Sequence, residues 1–416
     1  MAWIFSFLTL VGLNFGIWTI IGFIRFLTSA PKKYFISSEN IQNKILPRQV
    51  AAIIPAHNEE LTIGKTIKSL KKILPAKNIY VGSDASTDAT VKIVKKLGAN
   101  VLDIFPNKGK AGVLAYLIKY FNLTKKYKAI IIIDADTQIG KKYLKKALPL
   151  FNDGKVVAIA AHACSKWNPH LKPQMAFFYS AYRIRLYRIL QSVMRYGQTW
   201  KYTNVTSIVP GFSSIYRSEV LEKIKIDAPG LIIEDYNMTF EIHHKNLGKI
   251  DYSPQVYSFT QDPLSLKDYI NQIKRWNLGF WQTVRHHGVW FSFFWLALAV
   301  IILEMLFYSF FLLTLPLWLL ILSFNCFHPL VFPFSFDFFN FFTISQLSLM
   351  DIFIGVWLTD YIITFWVAFY ERKPILLFYG IGFPLLRYID AFWFLYTLPL
   401  AFITKSDGRW KSPKRK

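Results

Sequence analysis

Residues 129–133 of this chain, Ala-Ile-Ile-Ile-Ile, run without a polar interruption into Asp134, Ala135 and Asp136. A continuous β-branched run of that length is the pattern of a central strand covered on both faces. The acids then lie at the carboxyl edge of a sheet, where open α/β sheets bind ligands. Residues two apart on an extended strand point the same way, so the carboxylates of Asp134 and Asp136 can converge on one cation. A divalent metal holding a diphosphate is the natural occupant of such a pair. An Asp-x-Asp at a strand end is also the ordinary look of a solvated turn, and the tripeptide alone does not separate the two.

The surrounding chain reads as two kinds of sequence. It is 53% hydrophobic and 18% aromatic, yet carries 49 Lys and Arg against 25 Asp and Glu. Together these point to a membrane protein with a basic cytoplasmic face. Nucleic acid is set aside as a partner, because the lysines are scattered over helix surfaces and juxtamembrane loops with no binding motif among them. Cys164 and Cys326 lie far apart and suggest neither a disulfide framework nor a metal cluster. Residues 2–27 hold no charge before Arg25, enough to cross a bilayer at about 1.5 Å per residue. Lys32 and Lys33 place the following end in the cytoplasm. Val289 to Leu322 and Phe339 to Phe369 are again apolar, joined by a Pro- and Phe-rich connection, Phe327 to Phe338, that has no Lys or Arg. The segment from Pro374 to Ile403 lies between two basic stretches and reads as a hairpin or a re-entrant and interfacial pair, with Arg387 and Asp390 in its middle.

Between these apolar regions, short apolar runs alternate with Lys-rich amphipathic stretches. Strands are expected at 50–54, 79–82, 101–105, 129–133 and 156–161, with helices at about 60–74, 90–97, 110–121 and 141–151. That alternation predicts parallel strands with crossover helices, an open doubly wound sheet. A long helix crowded with Tyr and Arg is expected from Gln174 to Tyr196, one from Asp235 to Asn246, and one from Ser265 to Arg285. The expected units are an N-terminal transmembrane helix over 1–30, a cytoplasmic domain over 45–265, an interfacial helix over 265–288, a transmembrane and re-entrant region over 289–404, and a basic cytoplasmic tail over 405–416.

Three loops at expected strand ends carry chemistry. Pro55-Ala56-His57-Asn58-Glu59 would bring backbone donors and polar groups to the sheet edge, beside the acid tip. Gly82-Ser83-Asp84-Ala85-Ser86-Thr87-Asp88 has the small residues and acids that allow close approach to a nucleotide, and is equally a helix N-cap. Asn107-Lys108-Gly109-Lys110-Ala111-Gly112 puts lysines and backbone amides at a helix start, which suits phosphate. Further on, Glu234-Asp235 is either a catalytic pair or an acidic first turn favoured by the helix dipole. On the expected 265–285 helix, Gln272, Arg275 and Trp276 stand at i, i+3 and i+4 and share a face, while Lys274 points elsewhere. Arg suits a diphosphate, Trp gives a flat surface for a sugar ring, and Gln can bridge hydroxyls. An interfacial aromatic belt with Trp281 and Trp290 would look similar.

The ordered set P-A-H-N-E, S-D-A-S-T-D, N-K-G-K-A-G, D-A-D, E-D and Q-x-x-R-W resembles the inverting family-2 glycosyltransferases of the GT-A fold, and the arrangement of apolar segments resembles the bacterial poly-N-acetylglucosamine synthases within it. Hyaluronan, chitin and cellulose-type synthases share these motifs. The resemblance implies a Rossmann-like α/β catalytic domain between transmembrane helices in the cell membrane. It implies that Pro55 belongs to the nucleotide-binding set, that Asp84 meets uracil, that Lys110 lies near the nucleotide, that Asp136 and Asp134 hold Mg²⁺ or Mn²⁺ on the donor diphosphate, and that Asp235, with Glu234 beside it, is the general base. Gln272, Arg275 and Trp276 would then hold donor and acceptor, and Val209-Pro210-Gly211-Phe212-Ser213 resembles the acceptor loop. One position departs: members often carry two acids in the second loop, and the first is here Ser83. The implied partners are a UDP-sugar, with UDP-N-acetylglucosamine favoured, a growing β-linked polysaccharide, the lipid bilayer and a small membrane accessory subunit. Single transfer to a polyprenyl-phosphate or other lipid acceptor is the alternative enzyme, and an inactive scaffold or transport subunit the alternative of another class.

Overall fold

The computed structural model describes residues 12–28, 44–165, 174–331 and 357–404. The chain divides into two compact units. One comprises Trp18–Leu298 with Leu398–Lys416, and the other Met1–Ile17 with Ala299–Thr397.

The larger unit is built on an eight-stranded mixed sheet: β1 Val50–Ala56, β2 Ile79–Asp84, β3 Asn100–Ile104, β4 Ala129–Ile133, β5 Gln138–Ile139, β6 Val156–Ser165, β7 Ser213–Arg217 and β8 Lys249–Thr260. β4 has the expected bounds, and all five of its residues are buried. Alternate residues divide between two apolar layers: Ala129, Ile131 and Ile133 join Val50, Ala52 and Ile54 on one face. Ile130 and Ile132 join Ala51 and Ile53 on the other. A strand buried on both faces has no polar position to offer, which is why its sequence does not alternate.

The strand order is β3-β2-β1-β4-β7-β6-β8-β5. The first four strands are parallel, as a doubly wound sheet requires. The remainder corrects the expectation of an all-parallel sheet. β7 runs antiparallel between β4 and β6, β8 is parallel to β6, and β5 is antiparallel to β8. β7, Ser-Ser-Ile-Tyr-Arg, lies in a stretch where no strand was expected; pairing on both sides makes it one. β8 carries Pro254 in its middle and changes register against β6, so no local period announces it.

Helices 63–70, 90–96, 109–120, 234–244 and 266–287 match the expected ones within a few residues. The expected helix over 141–151 is α-helical only at Tyr143–Ala147 and continues as a 3-10 turn over Leu148–Asn152. Pro149 explains the change, since it donates no N–H and crowds the preceding turn. The expected helix over 174–196 is α-helical to Tyr187, then a π-helix over Arg188–Arg195.

In the smaller unit, Phe293–Leu317 (25 residues, mean hydropathy 2.5) and Phe383–Ile403 (21 residues, mean hydropathy 1.2) lie on helices long and apolar enough to cross a membrane; each helix begins or ends in the larger unit. The Leu13–Thr28 helix has 16 residues, about 24 Å against a hydrocarbon thickness of about 30 Å. Residues 1–11, which complete the expected first span, lie outside the described residues, as do 332–356, Lys32, Lys33 and the tail from Lys405. The helix beginning at Phe293 continues to Val331, so the expected connection starting at Phe327 is helical at its beginning. Arg387 pairs with Asp360, which is 2% exposed. The Arg387 guanidinium also lies 4.7 Å from the Tyr308 ring centroid. Glu304 accepts N–H bonds from the Asn14 backbone and side chain at 2.8 and 2.6 Å. Charged side chains in apolar helices thus meet protein groups, as a low-dielectric setting demands.

Candidate functional site

The larger unit holds a cleft of about 1920 Å³ at the carboxyl edge of the parallel strands. Its floor is the acid tip of β4. The Asp134 N–H donates to Phe212 O at 3.0 Å, and Thr66 Oγ1 donates to Ala135 O at 2.7 Å, so the tip is pinned from two sides. The β4–β7 pairing ends at Ile133 opposite Ser213, which brings the Pro210-Gly211-Phe212 turn against the tip.

Lys110, in the first turn of the 109–120 helix, is the centre of charge. Its Nζ lies 2.7 Å from Asp134 Oδ1 and 2.8 Å from Glu234 Oε1. Burial works against its charge, but Asp134, Glu234 and Asp235 outweigh burial and hold the ammonium above the usual lysine range. Asp235 is next. Its Oδ2 accepts the Gly211 N–H at 3.0 Å and its Oδ1 the Tyr236 N–H at 2.8 Å, which fixes the carboxylate plane. Burial, then repulsion from Glu234, pushes its pKa up to about 6, while Lys110 and the two N–H groups pull the other way. A carboxylate raised toward neutrality but still ionised at pH 7 is the state a general base needs. Gly211 is required by closeness: a Cβ there would stand 2.9 Å from Glu234 Oε1 and 3.1 Å from Lys110 Nζ.

The 266–287 helix forms another wall. Gln272, Arg275 and Trp276 line the cleft and Lys274 does not, as their spacing requires. The helix is capped by Ser265, whose Oγ accepts the Asp268 N–H at 3.1 Å. Behind this face stands Arg183, which is fully buried. It donates to Gln272 Oε1 and lies 4.5 Å from the Trp276 ring centroid.

Asp134, Asp136, Lys110, Glu234, Asp235, Gln272, Arg275 and Trp276 therefore come together. Pro55 and Asp84 do not. Pro55 is buried inside β1. Asp84 is fully buried, and its two oxygens accept the N–H groups of Lys108 at 2.7 Å and Gly109 at 2.9 Å. Burial raises its pKa against the pull of those bonds. Its geometry is that of a strut, tying the end of β2 to the start of the Asn107–Gly112 loop's helix, from which Lys110 reaches the acids. Ser83, where the resemblance led to an expected acid, is buried in β2 and does not line the cleft. Sequence reasoning missed Arg183 and Arg195. Both lie in the aromatic and basic stretch 174–196, and the available signal was arginine recurring among tyrosines with no acid within it. Arg195 lines the cleft, and its Nε is buried without a hydrogen-bond partner.

No group of three or more His, Cys, Asp or Glu side chains gathers as a metal cage among the described residues. A hard divalent ion that takes one or two carboxylates and completes its shell from phosphates needs none. With Asp134 held by Lys110, the donor set that fits such an ion is Asp136 with the outer part of Asp134.

Comparison with known proteins places this geometry. The model of the glycosyl transferase family group 2 matches residues 129–332, which contain the acid tip, the Glu234-Asp235 pair and the Gln272 face. A probable glycosyltransferase of Bacillus subtilis, YdaM, is 28% identical over 63% of this chain and 64% of its own length. The hyaluronan synthase of Streptococcus pyogenes is 29% identical over 56% of this chain and 57% of its own. An uncharacterized protein of Methanocaldococcus jannaschii is 39% identical over 30% of this chain and 51% of its own. The chain thus spans between half and two thirds of the length of these curated relatives. Among solved structures, the mannosyltransferase PcManGT from Pyrobaculum calidifontis, in complex with GDP-Man and Mn²⁺, superposes with a TM-score of 0.52 at 14% identity, covering 92% of this chain and 99% of that one. That likeness is one of fold. Residues 129–332 thus match the glycosyl transferase family group 2 model, and the mixed α/β sheet that carries them is similar in fold to that mannosyltransferase.

Proposed function

We propose that the protein is a membrane-embedded inverting glycosyltransferase that moves a sugar, N-acetylglucosamine first among candidates, from a UDP-sugar to a growing β-linked polysaccharide. The observation that carries this is the placing of Asp235, held by two N–H groups with a pKa near 6, in one cleft with the acid tip and the Gln272-Arg275-Trp276 face. Inverting transfer asks for one carboxylate to take the acceptor hydroxyl proton while the leaving group departs from the opposite face of the sugar. Asp235 Oδ1 or Oδ2 takes that proton. The N–H groups of Gly211 and Tyr236 orient the carboxylate, and Lys110 Nζ, 2.8 Å from Glu234 Oε1, sets a positive charge beside the two acids. Arg275, exposed at the cleft wall, offers a guanidinium to the diphosphate, and Trp276 offers its ring to a pyranose. Asp136 and Asp134 would hold the divalent ion. When bound, that ion supplies Lewis-acid stabilisation of the departing diphosphate, so no second catalytic acid is needed.

The apolar helices and the hyaluronan synthase likeness support a membrane setting, and Gln272-Arg275-Trp276 supports repeated rather than single transfer. The test is incubation of the full chain in membranes or detergent with a panel of UDP-sugars and Mg²⁺ or Mn²⁺, reading UDP release and product mass. A ladder of products differing by one sugar is expected. A single addition to a lipid would replace the processive reading with the polyprenyl-phosphate one, and no UDP release from any donor would sink both.

A further inference from the structure

Arg183 sits on the 174–187 helix at 0% exposure, and no carboxylate lies within ion-pair distance of it among the described residues. Its Nη2 donates to Gln272 Oε1, while its Nε and Nη1 have no hydrogen-bond partner. Its guanidinium carbon lies 4.5 Å from the Trp276 ring centroid, 5.3 Å from that of Tyr269 and 5.9 Å from that of Tyr187. A buried cation without a counter-ion is costly, and replacement by an apolar side chain is often neutral or stabilising. Stability therefore does not account for an arginine here.

Its contacts do. A guanidinium has only donors, so the atom of Gln272 that meets it must be the amide oxygen. The amide is thereby locked, and its Nε2 becomes the half presented to the cleft that Gln272 lines. The same guanidinium covers one face of the Trp276 indole and leaves the other as the platform. We propose that Arg183 is the positioning residue of this wall: it makes Gln272 a fixed hydrogen-bond donor and Trp276 a one-sided stacking surface, which selects a ligand presenting an acceptor oxygen, such as a sugar hydroxyl or carbonyl, beside a flat apolar ring face. Without Arg183 the amide is free to flip and offers donor and acceptor in turn.

This inference rests on the transferase reading, and the experiment separates the two. The variants Arg183→Met, Gln272→Ala and their combination are compared in the full chain for thermal stability and for kcat and KM of UDP release from UDP-N-acetylglucosamine with Mn²⁺. Gln272→Ala is expected to lower the melting temperature, because it strips the cation of its hydrogen bond; adding Arg183→Met is expected to restore it. Arg183→Met alone is expected to melt at or above the unmutated protein yet lose about tenfold in kcat/KM, mostly through KM, and the double variant to lose no more than Gln272→Ala alone. Arg183→Lys, which keeps the charge but not the planar fork, is expected not to rescue. Unchanged kinetics in a stable Arg183→Met, or losses that multiply in the double variant, overturn the inference and leave the transferase standing. An unmutated protein without turnover overturns the transferase reading and this one with it.

Discussion

The site depends on single atoms at Gly211, Lys110 and Asp235. Replacing Gly211 with Ala puts a Cβ 2.9 Å from Glu234 Oε1 and 3.1 Å from Lys110 Nζ, so the Glu234–Lys110 pair beside Asp235 must shift. We expect Gly211→Ala to fold and to lose at least tenfold in kcat, a displacement of about an ångström in a catalytic group being enough for that; UDP release beside a melting curve decides it. Asp235→Asn should lower UDP release by about 10²–10⁴-fold. Its stability should move the other way. The pKa of Asp235 is raised to about 6 from an ordinary 3.8, so folding favours the protonated form, and stability falls as pH rises through that interval. Asparagine removes the penalty, and the variant should melt at or above the unmutated protein at pH 7. The same ionisation governs rate with the opposite sign: kcat/KM should fall on the acid side of pH 6, and a profile flat to pH 4.5 would show that the base is another group. Asp136→Ala should abolish metal-dependent transfer with the fold intact, since the buried run of β4 ends at Ile133.

At the scale of elements, two features place the residues. β7 enters antiparallel between β4 and β6 and carries the Gly211 turn to the acid tip. Its sequence, with two serines at the start, offered no strand signal; pairing on both sides and burial of Ile215 and Tyr216 supply what propensity does not. The run 129–133 was legible because a strand covered on both faces needs no partner's pattern to be recognised. Asp84 shows the opposite case: its motif was visible, but whether a carboxylate faces solvent or two backbone amides is decided by where the next loop lies. The second feature is Arg25, near the end of the 13–28 helix. It donates to Tyr196 O at 2.6 Å and Thr199 Oγ1 at 2.9 Å, pairs with Asp251 at 3.0 Å, and lies 4.3 Å from the Tyr196 ring centroid. Burial raises the Asp251 pKa while Arg25 pulls it down. Arg25→Met should therefore destabilise the larger unit by about 1–3 kcal/mol, because a largely buried carboxylate, 22% exposed, loses its partner. Denaturant unfolding in detergent checks this, and restoration of stability by Asp251→Asn would trace the cost to that pair.

For the whole molecule, the expected behaviour is that of an integral membrane protein. The Phe293–Leu317 and Phe383–Ile403 segments should keep the chain in the membrane pellet after alkaline carbonate washing, and release into the supernatant would show those helices to be packed otherwise. What the sequence by itself determined was the set of local periods and spacings: a five-residue buried strand ending in acids, an i, i+3, i+4 face of Gln, Arg and Trp, and apolar runs of spanning length. These follow from the pitch of a helix and the pleat of a strand, which act within a few residues. What only the tertiary structure decided was which groups share a cleft and in what state. Lys110 reaches Asp134 and Glu234, Arg387 meets Asp360, and Arg183 donates to Gln272. Such pairings join residues 24 to 124 positions apart, and no local rule sets them, because burial and charge depend on what the rest of the chain brings alongside.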